Sequence, residues 1–354
     1  MHRTSRPSRR LAVVPAVTAF TLAPGLTASA HDRSGKAAGH GSRVTTPWLT
    51  TTILLVLGLS LLLSACSGSA PDVGSTSTTA APGPLAGRGE VELVSEGYGF
   101  TEGPQWMLET GVLHFTADNT IFEVAADDNV TTLRSPSNEA NGLAVDQQGR
   151  LLAAEAESRQ VTRTESDGTV TPIAQRFQGH RLNQPNDIVV RSDGTIYFTD
   201  PLFGDDAAAG AELDFRGIFR IAPDGKLSAE RRGTVDEAPN GVALSPDERL
   251  LYVSDYTGDR VWVFDVASNG SLSEARTFVQ AARPDGLAVD LTGNLFVAAD
   301  NGIAVFAPDG KPWGVIPVPQ VPANCAFGGT DGRTLYITAR EGLYRVRLKH
   351  PGEY

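Results

Sequence analysis

Six oxygen-bearing residues stand at the head of one recurring pattern: a small residue, an apolar run, a turn, and a second apolar run. Glu102 opens EGPQWMLETGVLHFTAD, Asn141 opens NGLAVDQQGRLLAAE and Asn186 opens NDIVVRSDGTIYFTD. Asn240, Asp285 and Asn324 open NGVALSPDERLLYVSD, DGLAVDLTGNLFVAAD and NCAFGGTDGRTLYITA, and the six intervals run 39, 45, 54, 45 and 39 residues. If the repeats are equivalent, the six side chains occupy equivalent places. Two carboxylates and four amides, with no His, Cys or Lys among them, form an all-oxygen set suited to a hard cation. Ca²⁺ is the first choice, Mg²⁺ or Mn²⁺ the next, and Zn²⁺ less suitable. A single Asn-Gly or Asp-Gly pair is often only a turn. A separate group of such pairs, at Asp193-Gly194, Asp224-Gly225, Asn269-Gly270, Asp309-Gly310 and Asp331-Gly332, already accounts for hairpins, and Glu102 is not a turn former.

The elements that must carry these residues are strands. TIYFTD, LLYVSD, LFVAAD and TLYITA are short, β-branched or aromatic, and bounded by Gly, Asp and Asn. Further strands such as RVWVFDV fill each period, and no amphipathic helix of a dozen residues is visible. Dividing residues 89–354 among six repeats gives about 44 each, the size of a four-stranded blade. The expected fold is therefore all-β, a six-bladed β-propeller with four-stranded blades around a central channel. Val91–Val94 is expected to complete the C-terminal blade. The first strand of each propeller blade lines the channel, so the six residues should converge on one mouth of the axis.

The chain has 354 residues, with 30 Lys+Arg against 41 Asp+Glu, a net charge of −11. Seven of the basic residues and one acid fall in the first 66 positions, which leaves 23 against 40, or −17, for the remainder. So acidic a body lacks the footprint for nucleic acid. Two cysteines exclude a disulfide scaffold and a multi-thiolate metal site. The first 66 residues are expected to be an export leader. Arg9-Arg10 precede an apolar stretch and Ala28-Ser29-Ala30 has the form of a signal-peptidase site; a second apolar segment, Ile53 to Leu63, runs into Leu63-Ser64-Ala65-Cys66. That ending resembles the bacterial lipobox, in which Cys66 would be lipidated. Residues 67–88, rich in Ser, Thr, Pro and Gly, form the tether to a propeller over 89–354. The expected location is outside the cell, lipid-anchored to the outer face of the bacterial membrane. The anchor would be the sole membrane contact of a monomer, and Cys325 a buried free thiol.

Glu102-Gly103-Pro104, Asn141-Gly142-Leu143, RLNQPNDIVVRSDGTIYFTDP from Arg181, Asn240-Gly241-Val242, Asp285-Gly286-Leu287 and Asn324-Cys325-Ala326-Phe327-Gly328-Gly329 resemble the SMP-30/gluconolactonase/LRE-like family across residues 89–354. The resemblance implies a calcium-dependent six-bladed propeller that hydrolyses lactones, with relatives that cleave aryl esters or phosphotriesters. It places metal ligands at Glu102, Asn240 and Asp285, with Asn186 as a fourth ligand or a substrate contact. Asn141 and Asn324 fall on channel positions that would face substrate, and Arg181 on a substrate-contacting arginine whose other reading is an exposed loop. Gly286 stands where some relatives carry a further amide.

Asp285 is the candidate base that takes a proton from water, and a hydroxide at the ion is the other route. His114 reads as a core or surface histidine. Asp187 and Asp255 read equally as supports of the site or as turn-side acids. No Gly-x-Ser-x-Gly elbow, His-Glu-x-x-His or P-loop is present. The expected function is a metal-dependent lactonase acting on a small-molecule sugar lactone. The alternatives are a non-catalytic exported binding or scaffold propeller, or an aryl-ester or phosphotriester hydrolase built on the same site.

Overall fold

Hairpin chemistry sets the strand order. At Gly194, Gly225, Gly270, Gly310 and Gly332 the chain turns with φ between 68 and 88°, the left-handed region that glycine enters without penalty. The preceding Asp or Asn accepts the backbone N–H two residues on, as Asp193 Oδ1 does from Thr195 and Asp331 Oδ1 from Arg333. These five pairs are turns, as expected.

The computed structural model describes residues 83–204 and 210–353. The leader, Cys66, the tether as far as residue 82, and residues 205–209 of the loop after Phe203 lie outside the described residues. Twenty-six strands and no helix occur among those described. After β1 (Val91–Glu96), blade 1 comprises β2 (Thr101–Met107), β3 (Val112–Ala117), β4 (Thr120–Val124) and β5 (Val130–Arg134). Blade 2 is β6 (Ala140–Val145), β7 (Leu151–Glu155), β8 (Gln160–Thr164) and β9 (Val170–Ala174), followed by a hairpin of β10 (Arg176–Phe177) and β11 (His180–Arg181). Blade 3 is β12 (Ile188–Val190), β13 (Ile196–Asp200), β14 (Arg216–Ile221) and β15 (Leu227–Gly233). Blade 4 is β16 (Pro239–Leu244), β17 (Leu250–Asp255), β18 (Arg260–Asp265) and β19 (Arg276–Gln280). Blade 5 is β20 (Leu287–Val289), β21 (Leu295–Ala299), β22 (Gly302–Phe306) and β23 (Pro312–Ile316). Blade 6 has β24 (Pro322–Gly328), β25 (Thr334–Ala339) and β26 (Gly342–Arg347), and β1 supplies its fourth strand. Val91 pairs with Val346 and Leu93 with Tyr344, so the N-terminal strand closes the ring as the repeat arithmetic anticipated.

The core lies in the seams between blades, because each strand turns alternate residues to opposite faces. Between blades 2 and 3 the seam is filled by Leu152, Val161, Phe198 and Phe219, with Phe177 of β10 edge-on to Phe219 at 5.3 Å. Blades 5 and 6 meet through Phe296 and Phe327, 5.2 Å apart. Cys325 is a buried free thiol in that seam. Burying aromatic side chains between rigid sheets fixes the blade angles, and those angles position the inner strands.

Candidate functional site

The glycine that follows a channel residue has a different task from the turn glycines. Gly142, Gly241 and Gly286 lie at the inner strands without positive φ. Each is packed against the next blade. A Cβ on Gly142 would lie 2.4 Å from Asp187 Oδ1, one on Gly241 2.3 Å from the Asp285 carbonyl, and one on Gly286 1.9 Å from Asn324 Oδ1. Gly103, bulged with φ +45°, would meet the Asn141 carbonyl at 1.9 Å. Hydroxyls on second strands stitch the same neighbours: Thr116 donates to Asn141 O (2.9 Å), Thr199 to Asn240 O (2.6 Å) and Ser254 to Asp285 O (2.7 Å). Asn324 Nδ2 donates to Glu102 Oε2 at 3.1 Å and joins blade 6 to blade 1. Contact therefore passes from blade 1 through blade 6 and back, and the six repeat-heading residues surround one axis.

Three carboxyl groups are drawn into this neck. Burial pushes Glu102 up to about 7, against a hydrogen bond from the Gly103 N–H (3.0 Å) and with repulsion from Asp187 adding to the rise. Burial likewise lifts Asp187 to about 6, although the backbone N–H groups of Val242 (3.0 Å) and Ile188 (2.9 Å) both donate to it. Asp285 is held well above the usual carboxylate range, first by burial and then by the charges of Glu102 and Asp187; the Asn240 amide and Arg340 oppose the rise. Three acids desolvated within reach of one another either take up protons or gather a cation.

The donor set fits a hard divalent ion, since every group is oxygen and Asn141 Oδ1 is buried without a hydrogen-bond partner. Among the described residues, no three His, Cys, Asp or Glu side chains gather tightly enough to hold an ion by themselves. Amide oxygens between the carboxylates would have to complete the coordination. Glu102, Asn186, Asn240 and Asp285 are the residues placed to do so.

The neck divides the channel. On the side where chains enter the inner strands, Asp285 borders a cavity of about 50 Å³ walled by Phe100, Tyr256, Arg283, Val321 and Arg340. Arg283 is clamped to Asp300, with Nε 2.8 Å from Oδ2. Arg340 lies over the Phe100 ring at 5.6 Å and makes no ion pair among the described residues, which leaves its guanidinium available. On the far side a wider cavity of about 340 Å³ reaches Asp187 and Asn324 between apolar walls that include Leu143, Val242, Leu244 and Leu287.

A family model, the SMP-30/Gluconolactonase/LRE-like region, matches residues 100–341. The chain belongs to the SMP-30/gluconolactonase/LRE-like family. It is 33% identical to the gluconolactonase of Zymomonas mobilis over 293 residues, which cover 73% of this chain and 81% of that protein. It is 27% identical to regucalcin of Xenopus laevis over 259 residues, 70% of this chain and 85% of the relative. The solved structure of a gluconolactonase from Xanthomonas campestris superposes with a TM-score of 0.67 at 32% identity, covering 73% of this chain and 89% of that one. Six four-stranded blades and the family are thus as the repeats and motifs indicated.

Within the family frame, the structure brings together Glu102, Asn141, Asn186, Asn240, Asp285 and Asn324. Asn324 has both ends engaged inside the protein, because its Oδ1 accepts the Cys325 N–H at 2.8 Å while its Nδ2 serves Glu102. Arg181 lies apart on β11, where its backbone N–H donates to Glu212 (2.7 Å). Asp255, one of the two ambiguous acids, pairs with Arg260 (2.9 Å) and accepts the Ala238 N–H (3.0 Å), so it anchors the entry to β16. Asp187, the other, points into the neck and is a member of the site.

Gly286 is explained by space, since Asn324 occupies the volume that a side chain there would need. Phe100, Tyr256, Arg283 and Arg340 were not anticipated. They come from strand ends in four blades and share no repeat position; the one available signal was their place just before a first strand or just after a second.

Proposed function

We propose that this protein is a divalent-cation-dependent lactonase that opens a sugar lactone, exported and held at the outer face of the membrane by a lipid on Cys66. The observation that carries the catalytic reading is the neck itself. Glu102, Asp187 and Asp285 are desolvated together beside unpaired amide oxygen, and Asp285 faces the open mouth. Structural polar groups normally pair off when buried, so a set left charged and partly unpaired is the mark of a ligand site. Similarity to the Zymomonas gluconolactonase narrows the ligand to a cyclic ester.

Bound here, the cation would supply positive charge against which a carbonyl oxygen can become anionic. Glu102, Asn186 and Asn240 hold it from three different blades. Asp285 takes a proton from water as the water oxygen bonds to the acyl carbon, and returns that proton to the ring oxygen as the C–O bond breaks. The products are one hydroxyl and one carboxylic acid. A carboxyl raised by burial and like charges is a stronger base than a surface aspartate, although the bound cation pulls its pKa back down. Arg340, free of an acidic partner beside Asp285, is placed to receive the carboxylate that forms. Phe100 and Tyr256 narrow the approach and limit water at the mouth.

The test is a pH-indicator assay of purified, metal-loaded protein against aldonolactones, aryl esters and phosphotriesters. Lactone turnover that is lost with chelator and restored by Ca²⁺ supports the reading. Turnover of aryl esters or phosphotriesters in place of lactones would keep the site and change the substrate. For location, Cys66→Ala should release the protein from the membrane fraction, and a wild type that carries no lipid after metabolic palmitate labelling would refute the anchor.

A further inference from the structure

The seam between blades 1 and 2 is the least filled of the propeller. Its buried apolar residues are Ile121, Ala140, Leu143, Leu151 and Ala153, with Met107 partly buried, and none is aromatic. The next seam, between blades 2 and 3, holds four phenylalanines. In place of such rings there is a half-open groove of about 450 Å³, lined by Met107, Ile121, Leu133, Leu151 and Val170. It is the largest cavity among those bounded by the described residues, and it lies on the outer side of the seam, away from the channel neck.

Two buried polar atoms at this groove have no partner. His114 is 5% exposed and lines the groove; its Nε2 is 3.2 Å from Glu123 Oε2, and its Nδ1 bonds to nothing. A carboxylate can only accept, so the ring proton belongs on Nε2, and Nδ1 is a bare acceptor that requires a donor. Arg134 also lines the groove. It gives one Nη2 proton to the buried Glu155 (3.0 Å) while its Nε–H remains unused. A missing donor and a missing acceptor in one apolar groove describe a hydroxyl, which serves as both.

Ions fit less well. Glu123, Glu155 and Glu165 disfavour an anion, and a carboxylate would meet the Nδ1 lone pair. Arg134 and Arg150 disfavour a cation. A polyhydroxy sugar would leave hydroxyls facing Met107, Leu133 and Val170 without partners.

We propose that the blade 1–blade 2 seam is a second small-molecule site, which takes a neutral, compact, mainly apolar alcohol or phenol whose hydroxyl meets His114 Nδ1 and Arg134 Nε. It does not depend on the lactonase reading, since no residue of the neck takes part.

The probe is p-cresol, titrated calorimetrically into the full chain, with toluene and 4-methylbenzoate as comparison ligands. Wild type should bind one p-cresol per chain, and toluene and 4-methylbenzoate should each bind roughly five- to tenfold more weakly, the worth of one buried hydrogen bond. His114→Phe keeps the volume and removes the acceptor, so it should weaken p-cresol by a similar factor. Val170→Trp sits on the exposed rim, outside the folded core, and should abolish binding by filling the groove without altering lactone turnover. The Val170 variant decides the matter if His114→Phe fails to fold. No heat with p-cresol in wild type would mean the groove takes water only and would overturn the proposal. Equal affinity in wild type and Val170→Trp would place the ligand elsewhere and also overturn it.

Discussion

Gly286→Ala tests the neck without touching a charged group. Gly286 does not need glycine for its backbone, so the whole effect must come from contact. The new Cβ would lie 1.9 Å from Asn324 Oδ1 and 2.0 Å from its Cγ. Asn324 cannot retreat freely, because one end accepts the Cys325 N–H and the other donates to Glu102. Overpacking of this kind costs about 1–3 kcal/mol. Losing the hydrogen bond to a carboxylate adds about 1.5–3 kcal/mol. A loss of about 3–5 kcal/mol lowers the melting temperature by roughly 6–15 °C for a domain of this size.

The decisive comparison is a double-mutant cycle in calorimetry. Asn324→Ala removes the obstruction and the hydrogen bond together, so adding Gly286→Ala to it should cost less than about 0.5 kcal/mol. Additive losses in the cycle, or a Gly286→Ala melt equal to wild type, would refute the close approach and with it the placement of Asn324 against Glu102.

Three further outcomes follow from the same geometry. Glu102→Gln should weaken divalent-cation binding far more than Asn240→Ala, because it removes a formal charge where the other removes a neutral oxygen; isothermal titration with Ca²⁺ at fixed ionic strength measures both. Burial holds Asp200 near 7 against about 3.9 in an unfolded chain, so the folded state binds the extra proton and stability falls as pH rises between those values. Asp200→Asn should therefore flatten part of the decline in denaturant midpoint between pH 4 and 7, and an unchanged slope would assign that decline to other acids. Arg340→Gln should raise KM for lactone or slow product release while leaving Ca²⁺ affinity nearly unchanged; a collapse of Ca²⁺ binding would show that Arg340 supports the neck.

The blade number and the closing strand were legible because a period near 44 residues survives sequence drift and because β1 had no other partner. The ring was legible for the same reason, one oxygen-bearing residue per repeat. The role of the following glycines was not, since Asn-Gly spells both a hairpin and a close approach, and only φ and the neighbouring blade separate the two. Asp187 and Asp255 looked alike as acids beside strands. Packing sends one into the neck and gives the other to Arg260. Phe100, Tyr256, Arg283 and Arg340 escaped notice because a mouth is assembled from strand ends of different blades, whose sequences carry no shared period.

The central claim is that the neck hydrolyses a lactone with Asp285 moving the proton. Its most direct test is single-substrate turnover of an aldonolactone by Asp285→Asn at saturating Ca²⁺, with calorimetry confirming that the ion site is refilled. Turnover should fall far more than the change in cation affinity explains, while wild type remains active and chelator-sensitive. Full turnover by the refilled variant would remove Asp285 from the chemistry, and no turnover by metal-loaded wild type on any lactone would leave a binding propeller in place of an enzyme.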